Sequence, residues 1–132
     1  VLIASGHMLG ERREDLVVLV AALLESCKLC QDPDFQDDLI AILADERYTG
    51  AKPDVLRNSL SGDFQSGANH GSSQQFHIFH GDSVNRPTVE KASWVLAGLR
   101  SIGAIPDLTC GSLSRLYRED IYSAALACGQ GI

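Results

Sequence analysis

Between Glu11 and Cys30 the apolar residues Leu16, Leu19, Val20, Leu23, Leu24, Cys27 and Cys30 recur at intervals of three and four. That spacing lines them along one stripe of an α-helix, and such a stripe packs against a core. Val17, Val18, Ala21 and Ala22 widen it, so the middle of the helix is expected to be covered on more than one side, as a central helix. Glu14 and Asp15 near its start and Lys28 near its end complement the helix dipole, whereas Arg12 and Arg13 oppose it.

Ahead of this helix, Val1-Leu2-Ile3-Ala4 is a short apolar run bounded by Ser5-Gly6, the pattern of a buried strand. Few later segments suit it as partners. Its expected neighbours therefore belong to a larger protein, of which this chain is a fragment, or to a second copy. Behind the helix, Asp32-Pro33-Asp34 reads as an N-cap, a proline at the first helical position and an acidic first turn, leading into Phe35, Leu39, Ile42 and Leu43 at helical spacing. Tyr48-Thr49-Gly50 closes that helix, and Lys52-Pro53-Asp54 opens a shorter one with Val55, Leu56 and Leu60. From Ser61 to Gln75 the composition turns to Gly, Ser, Asn and Gln, which predicts a long loop.

Phe76 to His80 reads as a short extended segment. Thr88 is the expected N-cap of a helix whose buried stripe is Ala92, Val95, Leu96, Leu99 and Ile102, with Gly103 as its C′ residue. Trp94 lies off the centre of that stripe and reads either as a packing anchor, the commoner case, or as a surface contact. A last helix, or a pair of short ones, carries Leu113, Leu116, Tyr117, Ile121, Tyr122, Ala125 and Leu126. The fold class is thus mainly α with a short strand or two: one helical domain or fragment over residues 1–132, with helices near 11–30, 33–45, 53–60, 88–102 and 113–128 and a loop at 61–75.

A chain of 132 residues is long enough to bury about two thirds of its unfolded surface. No apolar stretch approaches the roughly 20 residues of a membrane span, and the start carries no secretion-signal pattern. A net charge of −6, a pI near 5.0 and scattered Lys and Arg exclude direct nucleic-acid binding, which needs basic residues clustered on one face. A small anion is not excluded, because its site relies on local donors and helix N-termini rather than on the overall field.

Cys27-Lys28-Leu29-Cys30 is a C-x-x-C and His77-Ile78-Phe79-His80 an H-x-x-H, together four candidate zinc ligands. The histidines are closer in sequence than in common fingers and the cysteines lie on an apolar stripe, so buried free thiols are the competing reading. A thioredoxin-like role needs C-x-x-C at a helix start, where the dipole lowers a thiol pKa; here it stands near a helix end. Cys110 and Cys128 imply no disulfide framework. Ser59, Ser61, His70, His77 and His80 supply nucleophile and base types, yet none stands in a G-x-S-x-G or similar strained turn, so neither an enzyme nor a cofactor is expected. His77, His80, Asn85 and Arg86 form the most polar cluster beside the loop and are the candidate ligand contacts, with capping and loop hydrogen bonds as the alternative. Arg118-Glu119-Asp120 suits a phosphate or internal pairing.

The ordered set Leu23-Leu24-Glu25-Ser26-Cys27, Cys30-Gln31-Asp32-Pro33, Tyr48-Thr49-Gly50-Ala51, Asp54-Val55-Leu56 and Ser59-Leu60-Ser61-Gly62 resembles the C-terminal part of the nitrate and bicarbonate family of ABC-transporter substrate-binding proteins. Phe76 to Phe79, Asn85-Arg86-Pro87, Ala92-Ser93-Trp94 and Tyr117-Arg118-Glu119-Asp120-Ile121-Tyr122 extend the resemblance through nearly the whole chain. It implies the C-terminal segment of a two-lobe α/β periplasmic-binding-protein-like fold closing on nitrate, nitrite or bicarbonate. Most contacts to that small inorganic anion would then lie upstream of Val1 in the full-length parent. It further implies a periplasmic location and a transporter permease as partner. The same family includes cytoplasmic nitrate sensors that act on a regulatory protein, and domains fused to transporter ATPases. These stay open beside it, as does a stand-alone helical module that forms a homodimer.

Overall fold

Ser5 has extended backbone, and its hydroxyl accepts the Met8 N–H at 3.3 Å. The chain therefore turns helical at once, in a first helix α1 at Gly6–Glu11. This is seen in a computed structural model that describes residues 2–61, 77–105 and 113–129. After a break at Arg12, α2 runs Arg13–Gln31. Leu2 to Ala4, the described part of the expected opening strand, has no regular structure, and no strand occurs among the described residues. The physical reason is burial: Ile3 is 88% exposed, and an apolar run without a covering layer has nothing to hold it as a strand.

The carboxylate of Asp32 accepts the Asp34 N–H at 2.9 Å and caps a 3-10 turn, Pro33–Phe35. From it follows α3, Gln36–Ala44. The later helices are α4 at Pro53–Ser61, α5 at Asp82–Asn85, α6 at Val89–Ser101, α7 at Leu113–Leu116 and α8 at Glu119–Gly129. Neither α1 nor α5 was expected from the apolar periodicity, since both are too short to display one. His77 to His80 has no regular structure. The expected loop lies outside the described residues beyond Ser61, as do Phe76, His70 and Cys110.

The chain divides into two compact units. One comprises residues 1–25 and 85–132, and its buried apolar residues are Leu16 of α2, Ala92 of α6, Leu113 of α7, and Ile121, Tyr122 and Ala125 of α8. Each large side chain so buried contributes about 1.5–3 kcal/mol. Charged groups tie the same elements at the surface. Arg118 meets Asp120 through two bonds of 2.7 and 2.8 Å, and Arg13 reaches the same carboxylate at 3.3 Å. The hydrogen bond from Arg118 is the main cause holding the Asp120 carboxyl well below the usual range; Arg13 adds to it and burial opposes it.

The other unit comprises residues 26–84. Among its described residues the buried apolar side chains are Leu39 and Ile40 of α3, which packs with α4. Arg57 of α4 donates to Asp37 of α3 at 2.8 Å. Between these helices Arg47 grips Asp45 with bonds of 3.0 and 2.8 Å, and the Thr49 hydroxyl donates to the Leu43 carbonyl.

Two expectations about packing are corrected. Within α2 only Leu16 is buried, while Val18, Leu19, Leu23 and Leu29 are exposed, so it is not a helix covered on several sides. In α6 only Ala92 is buried; Val95 is exposed, as is Ile102 just past the helix, and Trp94 is 80% exposed, a surface residue among the described residues rather than a packing anchor. Helical period shows that a face is apolar, but not that a neighbour covers it.

Candidate functional site

Within the 26–84 unit, Cys30, Gln31, Asp32, Pro33, Gln36, Leu39, Leu60, His77 and Phe79 line a cavity of about 130 Å³. Each wall follows from local structure. The last turn of α2 supplies Cys30 and Gln31, the Asp32 cap and its 3-10 turn redirect the chain, and α3 and α4 contribute Leu39 and Leu60. The fourth wall, His77 to Phe79, has no helix or strand of its own. It is held by the Gln31 side chain, whose Oε1 accepts the backbone N–H of Phe79 at 2.9 Å and that of His80 at 3.4 Å. An amide oxygen has two lone pairs, so one side chain serves both donors. The ring of His77 lies 5.7 Å from that of Phe79, and its Nε2 is 3.5 Å from the Ser59 hydroxyl.

Chemically the cavity is polar and carries no positive charge. Its lining includes Asp32 and two glutamines but neither Lys nor Arg. A desolvated nitrate or bicarbonate needs charged or convergent N–H donors, and the Asp32 carboxylate works against it. Ser59 and His77 come together only at the outer limit of a hydrogen bond, and Ser59 is not among the lining residues.

The candidate ligand contacts divide between the units: His77 and His80 fall in one, Asn85 and Arg86 in the other. Arg86 has a structural setting, with Nη1 donating to Glu119 at 2.8 Å and its guanidinium 5.2 Å from the centre of the Tyr122 ring. Its carbonyl accepts from Lys91 Nζ at 2.7 Å. Asn85 ends α5 and is half-buried. Arg118-Glu119-Asp120 is likewise engaged in internal pairing.

Among the described residues no group of three or more His, Cys, Asp or Glu side chains is placed to hold a metal. The zinc alternative named Cys27, Cys30, His77 and His80. Cys30 and His77 do share the cavity wall, yet His80 is exposed, with its backbone on Gln31. Both cysteines are free and half-buried, and the Cys30 thiol is pushed up by burial and then by the nearby Cys27. Gln31, which organises the cavity, was not singled out in the sequence: its partners lie 48 and 49 residues away, and no local pattern marks such a contact.

Comparison with known proteins identifies the class of system. The chain is 34% identical over 117 residues to a nitrate import ATP-binding protein of Synechococcus elongatus, a match covering 86% of this chain and 18% of that protein. It is 34% identical over 129 residues to a bicarbonate transport ATP-binding protein of the same organism, covering 91% of this chain and 19% of the relative. A nitrate import ATP-binding protein of Synechocystis is 25% identical over 135 residues, which covers 92% of this chain. The chain resembles transport components for nitrate and bicarbonate. It spans about a fifth of the length of these curated relatives. No family model and no solved structure matches it.

These relatives are named for binding ATP, and that finding corrects four expectations. The resemblance to substrate-binding proteins does not extend to the relatives' named role. The expected solute-binding protein feeding a transporter is contradicted by relatives that carry the name of ATP-binding proteins. The expectation of no enzyme is overturned by relatives that are named ATP-binding proteins of import and transport systems. The expected periplasmic location is overturned by the same relatives, whose names are those of ATP-binding proteins.

Proposed function

We propose that this chain is a helical portion of an ATP-binding component of a nitrate or bicarbonate ABC importer, and that it lies outside the nucleotide-contacting core. The observation carrying this reading is the similarity at 34% identity across most of the chain to relatives that share the ATP-binding role while differing in the transported ion. The placement outside the core rests on the sequence. A phosphate-cradling G-x-x-x-x-G-K-[S/T] loop presents a lysine straight after glycine, and nowhere in these 132 residues does Lys follow Gly. The companion subunits are the importer's membrane-spanning components, and the location is the cytoplasmic face.

The helices form, on this reading, one segment of a larger α/β fold carried by the component. What supports it is the exposed apolar surface of α2 and α6, which folded proteins seldom leave bare at this density without a covering partner. The cavity beside Gln31 does not supply an oxyanion site, so the ion is not held here.

Calorimetric titration with Mg-ATP of the chain and of the longer protein that carries it tests the proposal. The longer protein should bind nucleotide stoichiometrically and the chain should not. Stoichiometric binding by the chain overturns its placement, and failure of the longer protein to bind overturns the family reading.

A further inference from the structure

We propose that Cys27 and Cys30 form a redox-responsive dithiol whose oxidation loosens the latch that Gln31 makes on the His77–His80 segment. The two cysteines stand three residues apart on one continuous helix, both half-buried and free, with no residue between them that breaks the helix. Neither has a role in the nucleotide reading above. Their proximity also registers in the upward push that Cys27 gives the Cys30 thiol.

Helical neighbours at this spacing have Cβ atoms about 5–6 Å apart, whereas a disulfide requires about 3.5–4.5 Å. Closing the bond therefore tightens that turn by on the order of 1–2 Å. The turn carries two contacts that register such a change. The Leu29 carbonyl accepts the Asp32 N–H at 3.0 Å. Gln31, the residue after Cys30, holds the N–H groups of Phe79 and His80. Cys30 and Gln31 also line the cavity that the latched segment closes, so the dithiol and the latch occupy the same stretch of backbone.

The oxidant is a low-molecular-weight disulfide. The Cys27 thiolate attacks one of its sulfurs, forming a mixed disulfide and expelling a thiolate that takes up the proton Cys27 has lost. The Cys30 thiolate then attacks the Cys27 sulfur, forming the Cys27–Cys30 bond and expelling the second thiolate, which takes the Cys30 proton. Two electrons pass from the pair to the oxidant, which leaves as two thiols.

The test uses the full chain with Cys110→Ser and Cys128→Ser, equilibrated with oxidised glutathione. Intact mass and alkylation follow the thiols, and amide hydrogen exchange follows Phe79 and His80. The expected product has lost two hydrogens, carries no glutathione and resists alkylation. Exchange at Phe79 and His80 should rise by about tenfold, the equivalent of one lost hydrogen bond, and return on reduction. Adding Cys27→Ser should leave one glutathione on Cys30 and unaltered exchange at the latch. Two stable glutathione adducts overturn the proposal, as does an internal disulfide that leaves exchange at Phe79 and His80 unchanged.

Discussion

Asp120 is the residue whose charge state matters most to its own surroundings, because Arg118 and Arg13 both donate to its carboxylate. Its pKa is lowered on folding, so the stabilisation is fully present above the unfolded value of about 3.9 and is lost as pH falls toward the folded value. The side chain is 50% exposed, which screens the pair. Asp120→Asn should therefore cost only about 1 kcal/mol at neutral pH. In thermal melts the gap between variant and parent should be constant above about pH 5 and close below about pH 4. Gln31 acts by geometry instead. Gln31→Ala strips two backbone donors of their shared acceptor and should cost about 1–3 kcal/mol, with hydrogen exchange accelerating first at Phe79 and His80. Among single residues, local signals were legible: the Asp32 and Thr88 side chains cap as their sequence contexts imply. Gln31 was not, because its partners are remote and a glutamine at a helix end has no characteristic neighbours.

At the level of elements, one glycine within α6 and another just beyond its end should respond oppositely to replacement. Gly98 lies within the helix and a Cβ there meets nothing within 4 Å. Gly98→Ala should stabilise the chain by about 0.5–1 kcal/mol, through the entropy of the unfolded state and helix propensity. Gly103 also has open space but a φ of +69°, and it donates to the Arg100 carbonyl at 2.9 Å while Ala104 donates to that of Leu99. Gly103→Ala should destabilise by about 1–2 kcal/mol from backbone strain alone. Urea titration of both variants in parallel reads the opposite signs. Helix starts and stops could be read from sequence since caps, prolines and a left-handed glycine act within a few residues. The burial of α2 and α6 could not. Leu19 and Leu23 satisfy the apolar period as well as Leu16 does, yet only Leu16 is buried in α2, because cover is supplied by elements the pattern does not specify.

For the molecule as a whole, charge and exposed apolar surface act against each other. At neutral pH the net charge of −6 keeps copies apart, while Val18, Leu19, Leu23, Trp94 and Ile102 offer sticky surface. Near the pI of about 5.0 the repulsion vanishes, and association through apolar patches is unopposed. Light scattering at fixed concentration should peak near pH 5.0 and fall on either side. Scattering that stays flat across this range would show that the exposed residues do not associate. Function was legible from sequence only at the level of the transport system: the ordered landmarks pointed to nitrate and bicarbonate handling, but the relatives are named for ATP. Fold-level landmarks record ancestry of a segment, whereas the role of a component is set by the chemistry of sites elsewhere in it.

Trp94 is the sole indole of the chain and stands in open solvent. Its emission is thus already that of a hydrated ring, and unfolding should barely move it, leaving circular dichroism to report the loss of helix. The same placement makes this fluorophore a lamp on the outer wall: a blue shift would signal another surface settling over α6 rather than any change within the chain.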